Sequence, residues 1–206
     1  MKIETVTTGA FASNCFILSN DRKEALVIDP GNEPQRILQQ IQQQAYTVVA
    51  ILITHGHIDH ISALAQVHAA HPCPIAMHPT EQGYAFNELN QMPPYYGVPE
   101  RPAHIERSLE EGQEWTDIGY RYTILELPGH SPGHVAFYFL DQQIIFSGDV
   151  LFKGSVGRTD LPGGDGRVLT ESLRRMATLP DETTVYCGHG PATTIGEEKR
   201  SNFFLS

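Results

Sequence analysis

A dense group of metal-ligand side chains directly follows an apolar run in the first half of the chain. The run at residues 48–53 leads into the segment Thr54-His55-Gly56-His57-Ile58-Asp59-His60. In an extended backbone, residues i and i+2 point to the same side, so His55 and His57 can bind one ion together. Asp59 and His60 begin the next segment, a predicted helix, and can face a second ion or an open coordination position. Imidazole and carboxylate ligands suit zinc, and also iron or manganese.

Three further candidate ligands each follow a strand-like run later in the chain. These are His130 after residues 123–127, Asp149 after residues 143–146 and His189 after residues 184–186. Ligands at the ends of neighbouring strands converge on one edge of a sheet, which a metal cluster requires. A structural zinc site is disfavoured, because such sites close with four ligands that usually include cysteines.

Length and composition predict a single globular domain over residues 1–206. Hydrophobic residues make up 40% of the chain and charged residues 18%, which is typical of a folded protein. The net charge of −10 argues against a nucleic-acid partner and against docking on an anionic membrane. Residues 1–6 lack the apolar segment of a signal peptide, and no run approaches the length of a membrane span. We therefore expect a cytoplasmic protein.

The three cysteines agree with that expectation. Cys15, Cys73 and Cys187 form an odd and widely spaced set, which favours reduced thiols over a disulfide framework. Cys187 lies two residues before His189, but the other ligand positions are already filled. We interpret it as a buried strand thiol.

Apolar patterns and turn residues predict the elements around these loops. Strands are expected at residues 2–7, 15–18, 25–28, 48–53, 121–127, 135–140 and 143–146, the last two forming a hairpin. Helices are expected at residues 35–44, 59–70 and 167–179. Residues 87–104 are rich in proline and tyrosine and lack periodicity, which predicts an ordered surface loop near a substrate site.

The pattern H-x-H-x-D-H after an apolar strand resembles the signature of the metallo-β-lactamase superfamily, and the three later loops match its remaining ligand positions in order. The resemblance covers nearly the whole chain and implies an α/β fold, the αβ/βα four-layer sandwich. It implies one or two zinc ions, with iron or manganese as alternatives. The ligand set that it implies is His55, His57 and His130 for the first ion, Asp59, His60 and His189 for the second, and Asp149 as the bridge.

Two longer stretches, residues 148–160 and 188–198, are similar to short bacterial glyoxalase II-like hydrolases of the YcbL type. This resemblance implies hydrolysis of S-D-lactoylglutathione to glutathione and D-lactate by metal-bound hydroxide, with Asp59 and Asp149 as the carboxylates on which catalysis depends. A thioester suits such a site, because a thiolate with a pKa near 8.5 leaves without strong protonation. The expected partner is thus a small thioester derived from glutathione.

Two cations are candidates for binding the anionic glutathione. Lys153 and Arg158 follow Asp149, near the place where typical enzymes of this family carry a glutathione-binding lysine. The alternative for Arg158 is a surface arginine in a solvated salt bridge. The larger glyoxalase II enzymes also carry a C-terminal helical domain, whereas the segment after His189 has room for only one short helix.

Two other functions remain open at this level. Gly157-Arg158-Thr159-Asp160 is also similar to a stretch of the persulfide dioxygenases, which would hold a single iron through His55, His130 and Asp149. A non-catalytic metal-binding protein is disfavoured, because every ligand position is filled. His134 follows the third ligand loop and is interpreted as a residue that supports the site rather than as a ligand.

Overall fold

A computed structural model describes residues 1–205, which form two compact units. The first contains residues 1–108 and 116–120, and the second contains residues 109–115 with the described part of 121–206. The single domain over residues 1–206 stays a prediction. Each unit is built around one six-stranded mixed sheet.

The sheet of the first unit follows the chain order. Its strands are β1 (Lys2–Thr8), β2 (Ser13–Ser19), β3 (Glu24–Ile28), β4 (Thr47–Leu52), β5 (Ile75–Met77) and β6 (Arg107–Ser108). The first three strands pair antiparallel as hairpins, and β3 to β6 pair parallel. Every residue of β2 is buried, including its apolar residues 15–18.

Two helices cover one face of this first sheet. They are α1 (Pro34–Gln44) and α3 (Leu64–Ala70), and their buried residues Ile37, Ile41, Leu64 and Val67 share one apolar cluster with strand residues such as Ile51. Proline at the first turn of α1 needs no amide partner there, so it is well placed. Two one-turn helices, α2 (Ile58–Ile61) and α4 (Pro79–Gln82), complete the unit.

The second unit carries the other sheet. The elements from residue 114 onward are β7 (Glu114–Asp117), β8 (Tyr120–Glu126), β9 (Val135–Phe139), β10 (Ile144–Gly148), β11 (Leu151–Phe152), β12 (Ser155–Val156), α5 (Gly166–Met176), β13 (Thr184–Cys187), β14 (Thr193–Thr194) and α6 (Ile195–Ser201). The sheet order is β14-β13-β10-β9-β8-β7, with β10 and β13 parallel, and β11 and β12 form a separate hairpin. Leu169, Leu173 and Met176 of α5 pack into the core of this unit.

Most predicted elements are confirmed to within a few residues. The exception is the helix expected over residues 59–70, which is wrong as one helix because it breaks between α2 and α3. In a continuous helix the Ala63 amide would donate to the Asp59 carbonyl. Here the Ser13 hydroxyl donates to that carbonyl at 2.6 Å, and the Ala63 amide donates to the carbonyls of Pro30 and Gly31 instead. The long-range contacts of β2 and the β3–α1 loop therefore end the first turn.

Residues 87–104, all of which are described, contain no named helix or strand and only an isolated bridge between Met92 and Tyr96. This confirms the predicted irregular loop.

Among residues 1–205, no helix has the length and apolar character needed to cross a bilayer.

Candidate metal centre

Parallel pairing of β3 and β4 places the first group of ligands. Ile28 is in register with Leu52, so the residues that follow the two strands emerge side by side at the carboxyl edge of the sheet. Asp29 leaves β3 there, and Thr54 and His55 leave β4. His57 caps α2 with an extended backbone, and Asp59 and His60 lie in that single helical turn.

The first unit brings four of the predicted ligands together. His55 and His60 are fully buried, and His57 and Asp59 are 8% exposed. The centroid of the His55 ring lies 4.8 Å from that of His57 and 4.3 Å from that of His60. The Nε2 atom of His60 lies 3.7 Å from Oδ2 of Asp59. Buried imidazoles at this density fit a bound cation better than an apolar core.

Asp29, which was not predicted as a site residue, organises two of these histidines. Its Oδ1 accepts from the Thr54 amide at 2.8 Å, and its Oδ2 accepts from the Thr54 hydroxyl at 2.6 Å. The same Oδ2 lies 3.1 Å from Nδ1 of His60. Because an ionised carboxylate can only accept hydrogen bonds, Nδ1 of His60 must carry the ring proton, and Nε2 presents a lone pair.

The same network fixes His55 through Thr54. The Thr54 hydroxyl has one proton, which it donates to Asp29, so it accepts from Nδ1 of His55 at 3.0 Å. His55 therefore also presents Nε2 as a lone pair. The carboxylate of Asp29 and the rings of His55 and His60 have ligand atoms within 4.8 Å of one another, as metal ligands would. Because Asp29 already accepts three hydrogen bonds, we assign it to orienting the histidines rather than to binding an ion.

The second unit brings together the other three predicted ligands. Gly148 at the end of β10 is in register with Cys187 at the end of the parallel strand β13, so the loops of Asp149 and His189 are neighbours. The β8–β9 connection returns to the same edge and carries His130. Nε2 of His130 lies 3.5 Å, and Nε2 of His189 lies 3.4 Å, from the same Oδ2 atom of Asp149.

Each of these two separations fits a pair of ligands that bind the same ion. Two atoms that each lie about 2.1 Å from a tetrahedral zinc ion are about 3.4 Å apart. The Nδ1 atom of His130 lies 2.7 Å from the carbonyl oxygen of Arg158, which can only accept, so Nε2 of His130 is the lone-pair atom that faces Asp149. The donor set of imidazole nitrogens and carboxylate oxygens thus suits divalent first-row metals.

Close packing holds the two loops of the second unit. A Cβ atom on Gly157 would collide with the carbonyl oxygen of Asp149, and one on Gly129, whose φ is +127°, would collide with the backbone of Leu169. Nε2 of His134, the residue predicted to support the site, accepts from the amide of Asp149 at 3.0 Å. The side chain of His134 therefore holds the backbone of a candidate ligand.

Both predicted substrate cations are paired with carboxylates. Arg158 binds Asp160 through two hydrogen bonds of 2.7 Å, and this contact lowers the pKa of the exposed Asp160 to about 2. Lys153 lies 3.2 Å from Glu197 on α6. The pairing agrees with the alternative of a solvated salt bridge for Arg158, and substrate binding by either residue stays a prediction.

The cysteine beside His189 is buried, as expected from the sequence. Cys187 is 1% exposed, and burial raises the pKa of its thiol to about 12, so it stays protonated at neutral pH. His68 lies in α3 and His71 follows it, both partly buried.

Comparison with known proteins agrees with this geometry. The family model described as the metallo-beta-lactamase superfamily matches residues 8–189. The hydroxyacylglutathione hydrolase GloC of Haemophilus influenzae is 38% identical over 209 residues, which cover 100% of this chain and 99% of that protein.

Two solved structures are also similar over nearly the whole chain. The BLEG-1 B3 metallo-beta-lactamase has a TM-score of 0.93 and 35% identity, with full coverage of both chains. TTHA1623, solved in a di-iron-bound form, has a TM-score of 0.87 and 41% identity, with 98% of this chain and 100% of that chain covered. These similarities confirm the predicted α/β fold class.

Proposed function

The chain belongs to the metallo-beta-lactamase superfamily and is a metal-dependent hydrolase, and from this premise we propose that it cleaves a glutathione thioester, S-D-lactoylglutathione, to glutathione and D-lactate. The observation that carries the proposal is the 38% identity to a hydroxyacylglutathione hydrolase across the full length of both proteins. The similarity of residues 148–160 and 188–198 to glyoxalase II-like hydrolases supports it.

The proposed ligands are those that the family resemblance implies. They are His55, His57 and His130 for a first ion, Asp59, His60 and His189 for a second, and Asp149 between them. Zinc is the proposed metal, and iron and manganese accept the same donors. A bound divalent ion lowers the pKa of its water to about 7 and so makes hydroxide available at neutral pH.

The chain's own residues fix the tautomer of three of these imidazoles. Asp29 keeps the Nδ1 proton on His60 directly and on His55 through Thr54, and the carbonyl of Arg158 does the same for His130. Three imidazoles therefore present lone pairs without a rearrangement. A thiolate leaving group needs no strong general acid, so the proposed reaction requires no further acid beside this ligand set.

Purified protein loaded with zinc is expected to hydrolyse S-D-lactoylglutathione, and His57→Ala is expected to be inactive, because it removes one of the buried ligands. Metal content is measured by elemental analysis and hydrolysis by loss of the thioester absorbance. Equal rates for the metal-loaded protein and the His57→Ala variant would contradict the proposed function.

Arg158 provides a test of the glutathione part of the proposal. If its guanidinium contacts a glutathione carboxylate, Arg158→Ala should raise KM several-fold with little change in kcat, because binding to a remote substrate group appears mainly in KM. Asp160→Asn should act in the opposite direction, since it releases the guanidinium from its carboxylate partner.

A neutral thioester without the glutathione carboxylates is the control for Arg158, and the KM for this substrate should stay the same in both variants. The effect on the glutathione thioester should shrink with added salt, because an exposed charge contact is screened. An unchanged KM for both substrates would leave Arg158 as a surface ion pair.

A second candidate function is an iron-dependent persulfide dioxygenase that acts on glutathione persulfide. The similarity of Gly157-Arg158-Thr159-Asp160 to that family favours it. Oxygen consumption by the iron-loaded protein with glutathione persulfide would favour this candidate, provided that the zinc-loaded protein does not hydrolyse the thioester.

The similarity to BLEG-1 makes a β-lactam a necessary third substrate in the same assays.

A further inference from the structure

The two peptide groups around Gly56 are each held by a buried side chain from residues 81–90. The Gly56 amide donates to Oε2 of Glu81 at 2.5 Å, and the Nδ2 atom of Asn90 donates to the Gly56 carbonyl at 2.7 Å. Glu81 is fully buried and Asn90 is 6% exposed. We call this pair the Gly56 bracket.

The bracket acts on the backbone that connects two candidate ligands. The amide of Gly56 belongs to the peptide plane that starts at the Cα of His55, and its carbonyl belongs to the plane that ends at the Cα of His57. Rotation about the φ and ψ angles of Gly56 would change the angle between these planes, and with it the directions of both imidazoles. Glycine has the widest freedom in these angles, so an external constraint has the largest effect at this residue.

The bracket is itself fixed by further hydrogen bonds in the same unit. The Tyr84 hydroxyl donates to Oε2 of Glu81 at 2.5 Å, and Nδ2 of Asn90 also donates to the carbonyl of Ala85 at 2.7 Å. A buried carboxylate is costly unless donors surround it, and Glu81 has two of them. The fit to the turn is close, because a Cβ atom on Gly56 would lie 3.0 Å from Cβ of Ala85 and 3.1 Å from Oε2 of Glu81.

We propose that Glu81 and Asn90 are positioning residues for metal binding, which hold His55 and His57 in the relative orientation that one ion needs. Neither residue is a ligand, and both act through the Gly56 backbone. The bracket also ties the metal-binding turn to the start of the 87–104 loop, since Asn90 lies in that loop. The proposal concerns metal affinity and does not depend on which substrate the enzyme hydrolyses.

The test measures metal affinity and coordination in the full-length protein. Zinc affinity of Glu81→Ala and Asn90→Ala is measured by competition with a chromophoric chelator, and coordination is followed in the visible absorption spectrum of the cobalt-substituted protein. Both variants are expected to bind zinc about 10- to 100-fold more weakly, the usual effect of losing a residue that orients ligands. Glu81→Gln should retain most of the affinity, because its amide oxygen can accept from Gly56.

Two matched variants serve as controls. Glu106→Ala removes a carboxylate that accepts from the amide of Ile75, and Asn87→Ala removes a half-buried amide that donates to the carbonyl of Gly83. Both should bind zinc like the unmodified protein. Melting temperatures are recorded with and without zinc, because weaker binding shrinks the rise in Tm that zinc causes.

Zinc affinity within about twofold of the unmodified protein in both alanine variants would overturn the proposal. A fall in the metal-free Tm with an unchanged zinc-induced rise would also overturn it, because it would show that the bracket supports only the fold. An altered cobalt spectrum in Glu81→Ala, restored in Glu81→Gln, is the result that the proposal requires.

Discussion

Replacement of Asp149 by alanine is expected to lower kcat for thioester hydrolysis by about a thousand-fold or more. Oδ2 of Asp149 lies 3.5 Å from Nε2 of His130 and 3.4 Å from Nε2 of His189, so the variant removes the carboxylate that both imidazoles face. Lewis-acid catalysis supplies several kcal/mol of transition-state stabilisation, and each 1.4 kcal/mol is a factor of ten in rate, about a thousand-fold for 4 kcal/mol. Steady-state kinetics and metal analysis of the same preparation measure the effect.

His134→Ala is the informative comparison for Asp149. Nε2 of His134 accepts from the amide of Asp149, so loss of this ring should displace the Asp149 carboxylate without deleting it and lower kcat about 10- to 100-fold. His104→Ala, which removes an exposed histidine, should leave the rate unchanged. Losses of equal size in Asp149→Ala and His134→Ala would contradict the distinction between a ligand and the residue that supports it.

Asp29→Asn is expected to weaken zinc binding by about 100-fold, although the two side chains have almost the same shape. The Thr54 amide is a fixed donor, so the asparagine oxygen must stay in the place of Oδ1 and its NH₂ group takes the place of Oδ2. The NH₂ group then donates to Nδ1 of His60, and the proton of His60 moves to Nε2. His60 can no longer offer that atom to an ion.

Chelator competition measures the zinc affinity of Asp29→Asn, and nitrogen NMR of the histidine rings reports the tautomer directly. Thr54→Ser is the matched control, because serine keeps both the amide and the hydroxyl that donate to Asp29. It should bind zinc normally. Unchanged affinity in Asp29→Asn, or an Nδ1 proton still present on His60, would show that Asp29 does not set the tautomer.

The sequence by itself determined the chemistry of the site and the elements that carry it. His55, His130, Asp149 and His189 each follow a strand-like apolar run, and that local pattern survives in the structure because burial of apolar side chains selects strands of this kind. The order of the ligand loops also identified the family, since order and spacing are properties of the chain alone. The donor types indicated a divalent metal before any distance was known.

The break between α2 and α3 could not be predicted from the local sequence pattern, because that pattern contains no long-range hydrogen-bond partners. Residues 59–70 have helical periodicity, but Ser13 and the carbonyls of Pro30 and Gly31 take the hydrogen bonds that a continuous helix would need. These partners come from β2 and the β3–α1 loop, which lie far away along the chain. No window of sequence around residue 60 contains them.

Only the tertiary structure showed which polar residues contact the backbone of the candidate ligand loops. Asp29, Glu81 and Asn90 carry no motif, and each acts on a partner 25 or more residues away along the chain. Their roles follow from the pairing of β3 with β4 and from the packing of residues 81–90 against the Gly56 turn. The physical reason is that a hydrogen bond depends on position and direction within a few tenths of an ångström, which strand register and packing set and residue type does not.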